Sequence, residues 1–240
     1  MLLIGISAAA FISTFLGGLF ALKLRDQLHL VLGFSAGAIL AVAFFDLLPE
    51  SIEIVGEMYE VHFVTTLIAI GFVIFLLLDR FVWKHSHNDD THDHSPRGAF
   101  SAGSIVFHSF IDGIGIGLAF AVSPTLGLTV AAAVLFHNFS DGINTVSMIL
   151  RSGGEKSRAY IWLALDALAP VAGIIVAQFF FLPEEMIGLM LALFAGFFIY
   201  IGASDLLPES HHRHPVIWTT LATLAGMLLI FVAIQFGPAH

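Results

Sequence analysis

Eight predominantly apolar stretches follow one another along this chain, and they constrain its fold more than any other feature. A transmembrane helix needs roughly 20 consecutive apolar residues. Charged residues cut the 240-residue chain into such stretches at about 1–22, 30–51, 62–83, 98–122, 124–150, 159–182, 186–209 and 215–237. Hydrophobic residues make up 58% of the chain and charged ones 11%, too few to cover a water-facing surface. Inside hydrocarbon each backbone amide must be satisfied within the protein, so the expected fold is an all-α integral membrane protein. The first stretch carries no charge and is followed by Lys23 and Arg25, the reverse of a cleavable leader, so it reads as a true first span. The chain from 1 to 240 reads as one transmembrane domain with a His-rich loop at 84–97.

The basic residues test the helix count independently. Lys23 and Arg25 fall between spans 1 and 2, Arg80 at the end of span 3 with Lys84 and Arg97 between spans 3 and 4, Arg151, Lys156 and Arg158 between spans 5 and 6, and Arg213 between spans 7 and 8. With eight spans these loops share one side of the membrane. The positive-inside rule makes that side the cytoplasm, so both termini are expected outside, in the plasma (inner) membrane if the source is prokaryotic.

Two internal echoes suggest an inverted repeat. Asp46-Leu47-Leu48-Pro49-Glu50-Ser51 ends span 2, and Asp205-Leu206-Leu207-Pro208-Glu209-Ser210 ends span 7. Under this topology the two spans run in opposite directions, as inverted-topology repeats of secondary transporters do. Phe107-His108-Ser109-Phe110-Ile111-Asp112-Gly113 in span 4 is likewise echoed by Phe136-His137-Asn138-Phe139-Ser140-Asp141-Gly142 in span 5. The expected arrangement is therefore three helices, a central pair, and three helices.

Ionisable groups inside a membrane mark sites or pathways by default. His108 and Asp112 are four residues apart, as are His137 and Asp141, so each pair shares one helix face near the middle of its span. A lone membrane histidine reads equally well as a helix-to-helix hydrogen bond. Two matched pairs at one depth instead offer two nitrogens and two carboxylates to one point, a donor set for a divalent transition metal. Asn138 adds an amide oxygen. Asp166 is the one charge within span 6 and reads either as a further ligand or as a structural hydrogen-bond partner. Gly113, Gly115, Gly117 and Gly142 allow close helix approach.

Asp46, Glu50, Asp205 and Glu209 lie at helix ends, as solvated termini or as relays at the two mouths of a pathway. Among the loop residues, His85, His87, His92 and His94 alternate with acidic residues and are candidate chelators, joined by His211, His212 and His214 on the same side. There is no cysteine, so thiolate sites, haem thiolates and disulfides are excluded. A net charge of −9 argues against nucleic acid and for cations.

These residues resemble the ZIP (ZRT/IRT-like) family of divalent metal transporters. The resemblance rests on His-x-x-x-Asp-Gly in span 4, His-Asn-x-x-Asp-Gly in span 5, Leu-Leu-Pro-Glu in spans 2 and 7, eight spans and the His-rich loop. It implies metal bound between spans 4 and 5 by His108, Asp112, His137, Asn138, Asp141 and Asp166, uptake toward the cytoplasm, and commonly a homodimer. The chain departs from the family pattern at Ser109, where Asn is usual, at Ser140 and Asp141, where Pro and Glu are frequent, and at Asp46, where His is usual. Asp166 is followed by Ala167, not by the family's usual proline.

The expected function is membrane transport of Zn²⁺, or of Fe²⁺, Mn²⁺ or Cd²⁺, with no catalytic cofactor and no enzymatic step. Because imidazole binds metal only when neutral, affinity is expected to fall below about pH 6.5. The alternative is a membrane-embedded zinc hydrolase, which would need an open metal position and a water. A proton-coupled carrier of another solute is a third reading.

Overall fold

The computed structural model describes residues 1–21, 28–87, 95–179, 182–210 and 216–236. His92, His94, His211, His212 and His214 lie outside the described residues. Among those described, eight helices are long and apolar enough to cross a membrane. Span 1 is Leu2–Phe20, span 3 Val61–His87, span 4 Ser95–Val122, span 5 Pro124–Arg151, span 6 Lys156–Ala177 and span 8 Val216–Phe236. Spans 2 and 7 are composite: Leu28–Val42, Ala43–Leu47 and Leu48–Val55 make up span 2, and Glu184–Tyr200, Ile201–Leu206 and Leu207–Ser210 make up span 7.

Span 3 continues past its apolar stretch to His87, and span 4 starts at Ser95, so the connection is shorter than the expected 84–97. Residues 80–87 contain no glycine or proline, and nothing there stops a helix whose end leaves the hydrocarbon. Span 6 ends at Ala177, five residues short of the expected 182.

The middle segments of spans 2 and 7, Ala43–Leu47 and Ile201–Leu206, are π-helical. In each, the amide just before the proline reaches back five residues: Leu48 N–H bonds the Ala43 carbonyl, and Leu207 N–H bonds the Gly202 carbonyl. Pro49 and Pro208 have no amide hydrogen and collide with the carbonyl four residues back, so the helix widens by one residue there. The repeated hexapeptide thus carries a repeated backbone distortion, with Asp46 in one copy and Asp205 in the other.

Glycine contacts repeat in the same way. Gly113 meets the Pro170 carbonyl and Gly173 meets the Phe110 carbonyl, so spans 4 and 6 touch backbone to backbone. Gly142 against the Thr14 carbonyl and Gly17 against the Phe139 carbonyl do the same for spans 5 and 1. Spans 2 and 8 cross through Gly37 on Thr223 and Gly226 on Phe34, and spans 7 and 3 through Gly196 on Ile68 and Gly71 on Leu193. Exchanging span 1 with 6, 2 with 7, 3 with 8 and 4 with 5 maps each crossing onto its counterpart. The register is kept as well: Phe110 and Gly113 stand two and five residues after His108, as Phe139 and Gly142 do after His137. These four crossings also belong to helix pairs with some of the most extensive contacts in the structure.

Over its 18-residue apolar stretch span 2 is 72% buried, span 5 67% and span 7 61%, spans 4 and 6 are 44% buried, and spans 3 and 8 are 11% and 17% buried, which puts spans 3 and 8 outside the helices that carry the buried polar residues. Leu77, Phe81, Ile217, Trp218 and Leu228 are exposed on those outer helices, as lipid-facing residues are. On the expected outer side, the Tyr59 hydroxyl donates to Glu185 Oε1 at 2.6 Å and ties the turn after span 2 to the start of span 7. That hydrogen bond, together with the negative charge of Glu185, holds the phenol above its ordinary value of about 10. A raised phenol keeps the contact intact through the ordinary tyrosine range, and loses it as pH rises through the shifted value. Tyrosine absorbance titration should therefore show a phenol step that moves to lower pH in Glu185→Gln, and Tyr59→Phe should remove that step. Coincident curves in both proteins would count against the contact.

Candidate metal site

Spans 4 and 5 are joined by Ser123 alone. Its side-chain oxygen accepts the Leu126 amide at 3.1 Å, and Pro124 opens span 5, a helix start written in the sequence. So short a turn forces two antiparallel neighbours. His108 lies fifteen residues before Ser123 and His137 fourteen after, so both sit about 22 Å from the turn at the same depth.

The side chains converge there. His108 Nε2 and His137 Nε2 lie 3.1 and 3.0 Å from the same atom, Asp112 Oδ2, and His137 Nε2 lies 3.7 Å from Asp141 Oδ2. One ligand atom from each of His108, Asp112, His137 and Asp141 falls within 4.8 Å of all the others. Tetrahedral zinc with bonds of about 2.0–2.1 Å spaces its ligands about 3.3 Å apart, and the three separations bracket that value. Two carboxylates cancel the charge of one divalent ion. The complex would be neutral, which is the least costly state for an ion in hydrocarbon.

The surroundings orient these donors. The Ala133 carbonyl lies 3.3 Å from His137 Nδ1; in the neutral tautomer protonated at Nδ1 it accepts that hydrogen and leaves the Nε2 lone pair toward the cluster. Phe75 from span 3 meets the His108 ring edge-on at 5.4 Å, and the two imidazoles stand nearly perpendicular at 5.6 Å. Asn138 is fully buried, and neither of its amide atoms has a hydrogen-bond partner. An unpartnered amide beside His137 is a costly arrangement, and a bound ion would satisfy its oxygen, though not its nitrogen.

Asp166 is placed differently. It accepts hydrogen bonds from Ser109 Oγ on Oδ1 at 2.7 Å and from Thr145 Oγ1 on Oδ2 at 2.9 Å, and it is not one of the four grouped donors. Thr145 did not emerge from the sequence reading. Its signal was there: it follows His137 and Asp141 at the same four-residue spacing, on the same face of span 5. Asp46 is buried at 3% exposure and Asp205 is exposed, while Glu50 is half-buried; none belongs to the cluster. His85 and His87 fall in the last turn of span 3.

The sequence pattern of the ZIP Zinc transporter family matches residues 1–103 and 84–234. The chain belongs to the ZIP zinc transporter family. Among the relatives of this ZIP protein, zinc transporter ZupT of Corynebacterium aurimucosum is 30% identical over 243 residues, covering 90% of this chain and 91% of the relative. ZupT of Chlorobium chlorochromatii is 27% identical and covers 93% and 92%, and protein zntB of Dictyostelium discoideum is 26% identical and covers 94% and 79%. A ZIP protein is a multi-pass membrane transporter and not an enzyme, so the hydrolase alternative has no support.

Proposed function

We propose that this ZIP protein takes up zinc, moving it toward the cytoplasm through the cluster between spans 4 and 5, with Fe²⁺, Mn²⁺ and Cd²⁺ as ions the same donors accept. The convergence of His108, Asp112, His137 and Asp141 carries this reading. Asn138 is the fifth ligand in it, on the strength of its orphaned amide. The protein replaces hydration water with nitrogen and oxygen donors at mid-depth, then exchanges the side that has access. No bond is made or broken covalently.

The repeated glycine crossings and π segments support a three-two-three arrangement with an inverted repeat, in which one half opens as the other closes. The halves differ where access is at stake. Asp46 is buried in span 2, whereas Asp205 is exposed in span 7 and interacts electrostatically with His108, the most exposed of the four donors. In this reading the basic loops are cytoplasmic and both termini lie outside the plasma membrane, and the exposed Asp205 against the buried Asp46 supports access from the cytoplasmic side. Asp205 then lines the way out, Glu209, whose side chain lies outside the described residues, is assigned to the same relay, and Asp46 and Glu50 guard the way in. His85 and His87 at the end of span 3, with histidines 92, 94, 211, 212 and 214, receive the released ion. A homodimer belongs to the same reading.

In proteoliposomes carrying an inward zinc gradient, the wild-type protein is expected to accumulate zinc and the His137→Ala/Asp141→Ala variant to fall to the level of empty vesicles. Equal uptake by the two would refute the reading.

A further inference from the structure

Asp166 is a buried carboxylate that the four-donor cluster does not use. It sits midway along span 6, fully buried, near enough to His108, Asp112 and Asp141 to interact with them electrostatically. Both of its oxygens are nevertheless turned to hydroxyls, Ser109 Oγ at 2.7 Å and Thr145 Oγ1 at 2.9 Å. Each hydroxyl rides on a helix that also supplies cluster donors: Ser109 follows His108 in span 4, and Thr145 stands one turn beyond Asp141 in span 5. Both hydroxyl-bearing residues are fully buried, so no solvent competes for these bonds.

Charge gives the arrangement a purpose. Two carboxylates and two neutral imidazoles are balanced by one divalent ion; a third carboxylate free to turn into the shell would add oxygen donors and draw in a second cation. Hydroxyls standing in for water satisfy that carboxylate where it is.

We propose that Ser109 and Thr145 are specificity-determining positioning residues, which hold the Asp166 carboxylate out of the metal shell and so keep the site at one ion with two imidazoles, two carboxylates and the Asn138 amide oxygen as donors. The proposal rests on the reading of the cluster as the transport site. A mixed nitrogen and oxygen shell suits zinc, whereas added carboxylate oxygen suits manganese. Freeing Asp166 therefore shifts the site toward a second ion or toward Mn²⁺.

The test uses the full chain in detergent, with metal content measured after equilibrium dialysis against Zn²⁺ and against Zn²⁺/Mn²⁺ mixtures. The wild-type protein is expected to hold one zinc. Ser109→Ala/Thr145→Val is expected to hold a second zinc, or to raise the Mn²⁺-over-Zn²⁺ affinity ratio at least tenfold. Adding Asp166→Asn to that variant should cancel the gain, and Thr145→Ser, which keeps the hydroxyl, should behave as wild type. A purely structural role for the hydroxyls would alter folding without altering metal count or ratio. A double variant with one zinc and a ratio changed less than tenfold, or a gain that survives Asp166→Asn, overturns the proposal. Should the double variant fail to fold, Asp166→Asn alone decides by X-ray absorption at the zinc edge: a shell that loses an oxygen donor on this substitution shows that the carboxylate already ligates the metal and overturns the proposal, and an unchanged shell supports it. A wild-type chain that binds no zinc at all would instead overturn the transport-site reading, and this proposal with it.

Discussion

Asp112→Asn is expected to lower zinc affinity about a hundredfold and to bring zinc uptake to background. Asp112 Oδ2 is the atom both imidazoles approach, at 3.1 and 3.0 Å, so it is the hub of the cluster. The asparagine is nearly isosteric and leaves the spans packed as they were, but it removes one of the two negative charges that balance the ion. A buried complex with uncompensated charge costs several kcal/mol. Loss of an outer orienting partner typically costs 10–100-fold in metal affinity, and loss of the shared central donor should reach at least the top of that range. Asp141→Asn should cost less, because Asp141 approaches only His137 and at 3.7 Å. Isothermal titration with zinc ranks the two directly. An Asp112→Asn protein within threefold of wild type would remove Asp112 from the centre of the site.

Gly17→Ala and Gly173→Ala should each unfold or severely destabilise the protein, and by similar amounts. A Cβ at Gly17 would overlap the Phe139 carbonyl and one at Gly173 the Phe110 carbonyl, and the repeat makes these two positions counterparts. Overpacking a core usually costs about 1–3 kcal/mol when side chains can rotate away. Here the obstacle is backbone, which cannot, so the cost lies at or beyond the top of that range. Gly5→Ala in the same first span is the control, since its Cβ would meet nothing within 4 Å. It should stay within about 0.5 kcal/mol of wild type. Thermal unfolding in detergent reads all three, and equal melting temperatures would refute the close crossings.

How much of this was legible beforehand follows from where the signals are written. Eight spans, the hairpin turn at Ser123 and the pairing of His108 with Asp112 and of His137 with Asp141 are local matters of hydropathy, capping and helical period, and a linear reading reaches them. Span ends were less legible, as at His87 and Ala177, because a helix end in the interface depends on breakers more than on hydropathy. The π segments were half visible: Pro49 and Pro208 announced a fault, while its form depended on neighbours holding the widened turn.

The chemistry of the site, two imidazoles and two carboxylates without a thiol, is a property of sequence, because it needs only residue identity and a four-residue spacing. Its geometry is not. That Asp112 bridges both histidines while Asp141 stands off, that Asp46 is buried and Asp205 exposed, and that Asp166 is claimed by Ser109 and Thr145 all depend on which faces of spans 4, 5, 6 and 7 meet. Helical spacing brings residues to one face of one helix. Choosing among buried carboxylates for a shared ion takes contact between helices, and that contact is set by packing, here by glycines that let backbones touch.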